Sequence, residues 1–267
     1  MSNVEVKSSK TPEKGRITTE VKGRVLLIGI DRPRKFNAFT KKMLLGLAEA
    51  LTEYEKNPDL WCAVLFAEGK NFTAGLQLDE FNITDDLCPE GLVDPFSLRE
   101  PVRKKPLVTA VQGVCFTAGV ELMLASDVVI AADDCRFAQM EVKRGLMAFG
   151  GATIRMVASA GFGNAMRYLL TGDEFNAEEA YRLGFVQDVV PRGEQKERAI
   201  LFAERIAAQA PIAVQAMRES SWIFSQQGQD EAVAAFPDQL KKIFASEDFM
   251  EGVRSFLERR EGKFNGR

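Results

Sequence analysis

Apolar positions along this chain follow two periods, and the change from one to the other divides it. Residues Arg16 to Lys22 and Arg24 to Asp31 alternate or run apolar about Gly23, which predicts a β-hairpin. Asp31 to Lys35 is a turn, and Thr40 can cap a helix reaching about Lys56, with Leu44, Leu47, Leu51 and Tyr54 on one face. Cys62–Ala67 and Pro106–Val111 are short, continuously apolar strands, followed by Asp127–Ala132 and Arg136–Gln139. The loop-rich stretch 82–104, with Pro89, Pro95 and Pro101, is either a substrate-facing excursion or a tolerated insertion. Helical spacing then takes over at about 151–160, 163–171, 176–183, 194–210, 211–227, 230–245 and 247–260, with a last extended piece at Val186–Val190. The expected organisation is a polar, mobile terminus over 1–15, an α/β core over 16–192 and a helical region over 193–267.

The core contains a repeat. Asn71-Phe-Thr-Ala-Gly-Leu-Gln-Leu78 and Cys115-Phe-Thr-Ala-Gly-Val-Glu-Leu122 share Phe-Thr-Ala-Gly-x-(Gln or Glu)-Leu at an offset of 44 residues, and their preceding strands align without a gap. This predicts two stacked strand–turn–helix units. The small residues of each turn let a ligand approach the backbone, and a helix starting near Thr117 or Ala118 aims unpaired N–H groups at it. Glu121, in the first turn of that helix, could serve only to complement the helix dipole. The first copy carries Gln77 at the matching place, so the scaffold tolerates a neutral residue and a purely structural role for the charge is less compelling.

The chain has 267 residues, 46% of them hydrophobic and 27% charged, as in an ordinary globular protein. A formal charge of −3 gives no support for binding nucleic acid or an anionic membrane surface, and no apolar run approaches a membrane span. Cys62, Cys88, Cys115 and Cys135 show no paired spacing and are expected to be buried, reduced thiols; the expected location is cytoplasmic. The sequence has no histidine, which excludes Ser-His-Asp and Cys-His pairs and any His-ligated metal. Acid–base chemistry near neutral pH would therefore fall first to carboxylates with shifted pKa values.

Several motifs together resemble the crotonase (enoyl-CoA hydratase/isomerase) superfamily: Arg32-Pro33-x-x-x-Asn37-Ala38, the Phe72–Leu76 turn, Val111–Gly113 through Gly119–Leu122, Asp127, and Phe137-x-x-x-Glu141 to Gly145. The resemblance runs from about Gly15 to the carboxyl end. It implies an α/β fold, a spiral of repeated ββα units with a helical C-terminal trimerisation region, assembled as a homotrimer or dimer of trimers. It also implies an acyl-CoA thioester substrate, with coenzyme A as part of that substrate and no metal or separate cofactor.

By position, the resemblance assigns the two backbone donors for the thioester oxygen to Leu76 and Ala118, and two catalytic glutamates to Glu121 and Glu141. Glu121 would activate water and Glu141 would transfer a proton at the α-carbon, with either able to share both tasks, and having both glutamates favours hydration over a double-bond shift. Contacts to CoA fall on Arg34, Phe36, Ala74, Gly75, Gln77 and Leu78. Gln77, Asp79, Met140 and Ala148 depart from residues frequent in hydratases and leave the acyl substrate open. The alternatives are another crotonase-fold reaction (isomerase, decarboxylase or thioester hydrolase) or a non-catalytic acyl-CoA-binding scaffold. The scaffold reading fits poorly with two retained glutamates, because buried paired carboxylates are costly.

Overall fold

The expected hairpin forms as β1 (Arg16–Lys22) and β2 (Val25–Asp31), paired antiparallel. From β2 onward the large sheet is parallel: β2 pairs with β3 (Cys62–Ala67), β3 with β4 (Leu107–Val111), β4 with β6 (Val128–Ala132) and β6 with β9 (Asp188–Val190). Its inner strands are buried on both faces, which is why they read as unbroken apolar runs instead of alternating. A smaller sheet joins β5 (Val114–Phe116), β7 (Arg136–Ala138) and β8 (Phe175–Asn176). These features come from a computed structural model that describes residues 15–82 and 87–267.

The chain winds between the two sheets. β4 lies in the large sheet and β5 in the small one, and α2 (Ala118–Leu124) follows; β6 and β7 repeat the step, followed by α3 (Ala152–Ala160). The earlier turn runs from β3 to Thr73, which bridges Cys115 at the edge of the small sheet. β3 and β4 pair in the register Ala63↔Leu107, the same 44-residue offset that separates the two sequence copies. This is a crotonase-fold spiral of ββα units.

α1 (Lys41–Lys56) begins where expected: Thr40 Oγ1 accepts the Met43 N–H at 3.1 Å, and Leu44, Leu47, Leu51 and Tyr54 are buried against one face of the sheet. α6 (Gln195–Ala207) covers the other face with Ala199, Ile200 and Ala203. Between α3 and α6 lie α4 (Phe162–Leu169) and α5 (Ala177–Arg182), and the tail continues through α7 (Pro211–Gln227), α8 (Gln229–Phe244) and α9 (Glu247–Glu258). Phe202 and Ile206 pack onto this chain's own sheet, whereas Phe224, Phe244 and Phe256 are exposed. No helix among the described residues is long and apolar enough to cross a membrane. All four cysteines are free and buried, as expected.

Three expectations need correction. The first copy does not continue into an α-helix; only a 3-10 turn, Leu78–Glu80, follows it. The Gly75 carbonyl accepts the Phe39 N–H at 2.8 Å and the Gln77 N–H donates to Phe39 O at 2.9 Å, so backbone groups that a helix would use are committed to an extended bridge. The small-residue turn before α2 contains a three-residue strand, β5, and Phe175–Asn176 forms another short strand. Most of the expected mobile terminus lies outside the described residues, as do residues 83–86. Gly15, however, is buried, and a Cβ there would meet Met43 Sδ at 2.5 Å, so it belongs to the fold.

Candidate active site

Glu121 projects from the first turn of α2 into the interior and is 4% exposed. Its Oε1 accepts the Gly150 N–H at 2.6 Å and the Ala152 N–H at 3.3 Å. Both donors lie at the amino end of α3, whose Gly151 cap has φ +107, so the carboxylate meets amides that the helix cannot pair internally. These bonds favour the charged form. Burial outweighs them and, with the nearby Glu141 carboxylate adding to it, pushes the Glu121 pKa up to about 7.

Glu141 opens a 3-10 turn (Glu141–Arg144) directly after β7, and Gly145 closes the turn with φ +70. It is half-buried, and burial raises its pKa. In the amide orientation that satisfies both groups, Gln139 donates to the Glu141 carboxylate oxygens at 2.9 and 3.1 Å. The Glu141 carboxylate thus bears on Glu121 in one site. One is held by helix-end amides and the other by a buried glutamine.

The two small-residue turns touch. A Cβ on Gly75 (φ +99) would overlap Thr117 Oγ1, and one on Gly119 would meet Thr73 Cγ2 at 2.6 Å. Leu76 and Ala118 each follow one member of the Gly75/Thr117 contact. Because Gln77 donates toward Phe39, strand alternation turns the Leu76 N–H away from Phe39. Thr117 itself has φ +49, an unusual backbone for a β-branched residue, and donates its N–H to Ala138 O at 2.8 Å.

The residues expected at CoA form a neighbouring surface. Ala74 N–H donates to Phe36 O at 2.9 Å, joining the segment of Arg34 and Phe36 to that of Ala74, Gly75, Gln77 and Leu78. Arg34, Phe36, Ala74 and Leu78 are exposed. Asn37 fastens the two segments: its Oδ1 accepts the Arg32 N–H at 2.7 Å, and its amide nitrogen donates to Glu68 O and Asn71 O, each at 2.8 Å.

With that geometry in view, comparison with known proteins identifies the family. The sequence profile described as enoyl-CoA hydratase/isomerase matches residues 20–267. The chain belongs to the enoyl-CoA hydratase/isomerase family. It is similar to the 2,3-dehydroadipyl-CoA hydratase of Escherichia coli, with 32% identity over 91% of this chain and 96% of that protein. Among solved structures it resembles a probable enoyl-CoA hydratase/isomerase from Mycobacterium abscessus, with a TM-score of 0.91 and 47% identity over 96% of this chain and 99% of the other. It also resembles an enoyl-CoA hydratase from Mycobacterium tuberculosis, with a TM-score of 0.88 and 35% identity over 94% and 99%. The chain is therefore an enzyme of the crotonase superfamily.

For an enoyl-CoA hydratase/isomerase family site, the sequence reading named the carboxylates and turn residues but missed Gly150, Ala152 and Gln139. Gly150 and Ala152 act through backbone N–H groups and leave no side-chain signature. Gln139, a buried amide at a strand end two residues before Glu141, was a usable signal.

Proposed function

We propose that this enzyme catalyses the reversible addition of water to a 2-trans-enoyl-CoA, forming the 3-hydroxyacyl-CoA. The observation carrying this reading is the pair Glu121 and Glu141, both raised in pKa in one largely buried site, with Glu121 at about 7. Two such carboxyl groups in one site can supply a base and an acid together.

In the proposed reaction the thioester oxygen lies between the Leu76 and Ala118 N–H groups. Ionised Glu121 takes a proton from water as the water oxygen bonds to the β-carbon, and the electrons of the C=C bond move onto the thioester oxygen. Fixed amide dipoles stabilise that developing charge without reorganising. Protonated Glu141 then gives its proton to the α-carbon, the enolate collapses to the thioester, and a proton passing from Glu121 to Glu141 resets the pair. Water and a proton are all that move, so no cofactor is required beyond the CoA of the substrate. Arg34, Phe36, Ala74, Gly75, Gln77 and Leu78 hold the CoA portion, with Arg34 suited to a phosphate. A homotrimer or dimer of trimers fits the exposed apolar tail, in which Phe256 is 82% and Leu257 74% exposed.

The test is loss of the enoyl-thioester absorbance with crotonyl-CoA and longer 2-enoyl-CoAs, for wild type, Glu121→Gln and Glu141→Gln. Turnover by wild type and a fall in kcat of at least about 100-fold in each variant are expected. Binding without turnover at every chain length would refute the hydratase reading.

A further inference from the structure

Gly150 stands between two groups that leave it no room. A Cβ there would meet Glu121 Oε2 at 2.5 Å on one side and Phe96 Cδ1 at 2.9 Å on the other. Its N–H serves Glu121, and its carbonyl accepts Arg155 Nη1 at 3.3 Å. The same guanidinium reaches across to a second segment: Nη2 donates to Phe96 O at 2.7 Å and to Ser97 O at 3.2 Å. Phe96 and Ser97 belong to a turn organised by buried Asp94, whose carboxylate accepts the Phe96 N–H at 2.9 Å, Leu98 at 3.0 Å and Arg99 at 3.2 Å.

We propose that Arg155 is a positioning residue that clamps the 94–99 turn onto the Gly150 turn and so holds the Glu121 carboxylate in its reactive orientation. This rests on the hydratase reading for its kinetic consequence. The planar fork of arginine suits the task, because its nitrogens face carbonyls on two segments at once; a lysine ammonium has the charge without that geometry. Arg155 is half-buried in α3, between exposed Ile154 and buried Met156. The charged groups acting on it are Asp94, Glu121 and Arg103. Without the clamp the Phe96 ring no longer backs Gly150, and Glu121 loses the register of its 2.6 Å donor.

The experiment uses the full chain with Arg155→Met, which keeps an apolar stem, and Arg155→Lys. Two readouts are taken: crotonyl-CoA kinetics across pH, and hydrogen exchange of peptides covering 148–153 and 94–99. For Arg155→Met, kcat should fall about 10- to 100-fold with KM changed less than about threefold, the pattern of a misplaced catalytic group. The pH limb reporting Glu121 should move upward as a cation is lost. Lysine should restore that limb while leaving kcat at least about fivefold low, because charge is regained without the fork. Exchange in both peptides should quicken at least about tenfold in Arg155→Met.

Unchanged exchange overturns the clamp whatever the kinetics, and faster exchange with kcat within twofold of wild type overturns the positioning role. Kinetic losses that merely track the folded fraction, with an unmoved pH limb, also overturn it. Wild type that fails to turn over any enoyl-CoA counts against the hydratase reading alone, and faster exchange in the variant then still supports the clamp.

Discussion

Gly150→Ala separates the position of Glu121 from its chemistry by adding one methyl group and no charge. Built on the present backbone, that methyl carbon lies 2.5 Å from Glu121 Oε2, 2.8 Å from its Cδ and 2.9 Å from Phe96 Cδ1. Ordinary contact begins at 3.4 Å, so the carboxylate or the turn must give way by about 0.9 Å. Phe96 is buried and clamped through its carbonyl, so the carboxylate is the more mobile side. Withdrawing it weakens the 2.6 Å bond from Gly150. A hydrogen bond to a charged group contributes about 1.5–3 kcal/mol, or roughly 10- to 150-fold. A misplacement near 1 Å costs on the order of 100-fold in rate, so the two routes agree. We expect kcat for crotonyl-CoA to fall about 100-fold with KM little changed, alongside about 1–3 kcal/mol of overpacking destabilisation. Gly163→Ala is the control, since nothing lies within 4 Å of its Cβ position. If Gly150→Ala kept more than half the wild-type kcat while folded, held orientation of Glu121 could not be what the site depends on.

Three further outcomes follow from the same geometry. Glu121 has a folded pKa of about 7 against an ordinary glutamate value of 4.5, so it binds more protons folded than unfolded and stability falls as pH rises between those values. Glu121→Gln should therefore be more stable than wild type by about 3 kcal/mol at pH 8, with the advantage gone by about pH 4, in urea titrations across that range; a pH-independent difference would mean that burial does not control this group. Gly75→Ala requires φ +99 of a residue with a Cβ and drives that carbon into Thr117 Oγ1, so it should splay the two turns. A loss of about 100-fold or more in kcat is expected, the scale of a missing oxyanion donor, and near-normal turnover would remove Leu76 and Ala118 from that role. Sedimentation of wild type against Phe256→Glu with Leu257→Glu should show a trimer or hexamer reduced to smaller species, and a monomeric wild type would exclude the assembly.

Much of the fold was legible because burial on both faces writes strands β2, β3 and β4 as unbroken apolar runs, and because the 44-residue repeat is also the β3–β4 register. The failures have a common cause. β5 and β8 span three and two residues, too few for a period to emerge. The same Phe-Thr-Ala-Gly string leads into α2 in one copy and an extended bridge in the other, since only the first copy has Phe39 beside it. Tertiary partners, not local letters, decide between the two.

The site divides along the same line. A glutamate announces itself in the sequence, and so do the small residues of a turn that lets a ligand near the backbone. What poises Glu121 near neutrality does not: its donors at Gly150 and Ala152 lie 29 and 31 residues downstream, and the Phe96 ring behind Gly150 comes from a third segment. The amides pull the pKa down, burial and Glu141 pull it up, and burial is the largest of these effects. Arg155 was not singled out by the sequence, because its partners are backbone carbonyls, two of them on a distant segment. Those carbonyls, at Gly150, Phe96 and Ser97, belong to the turn that donates to Glu121 and the turn that packs behind it, so satisfying the guanidinium and shaping the site are the same structural act.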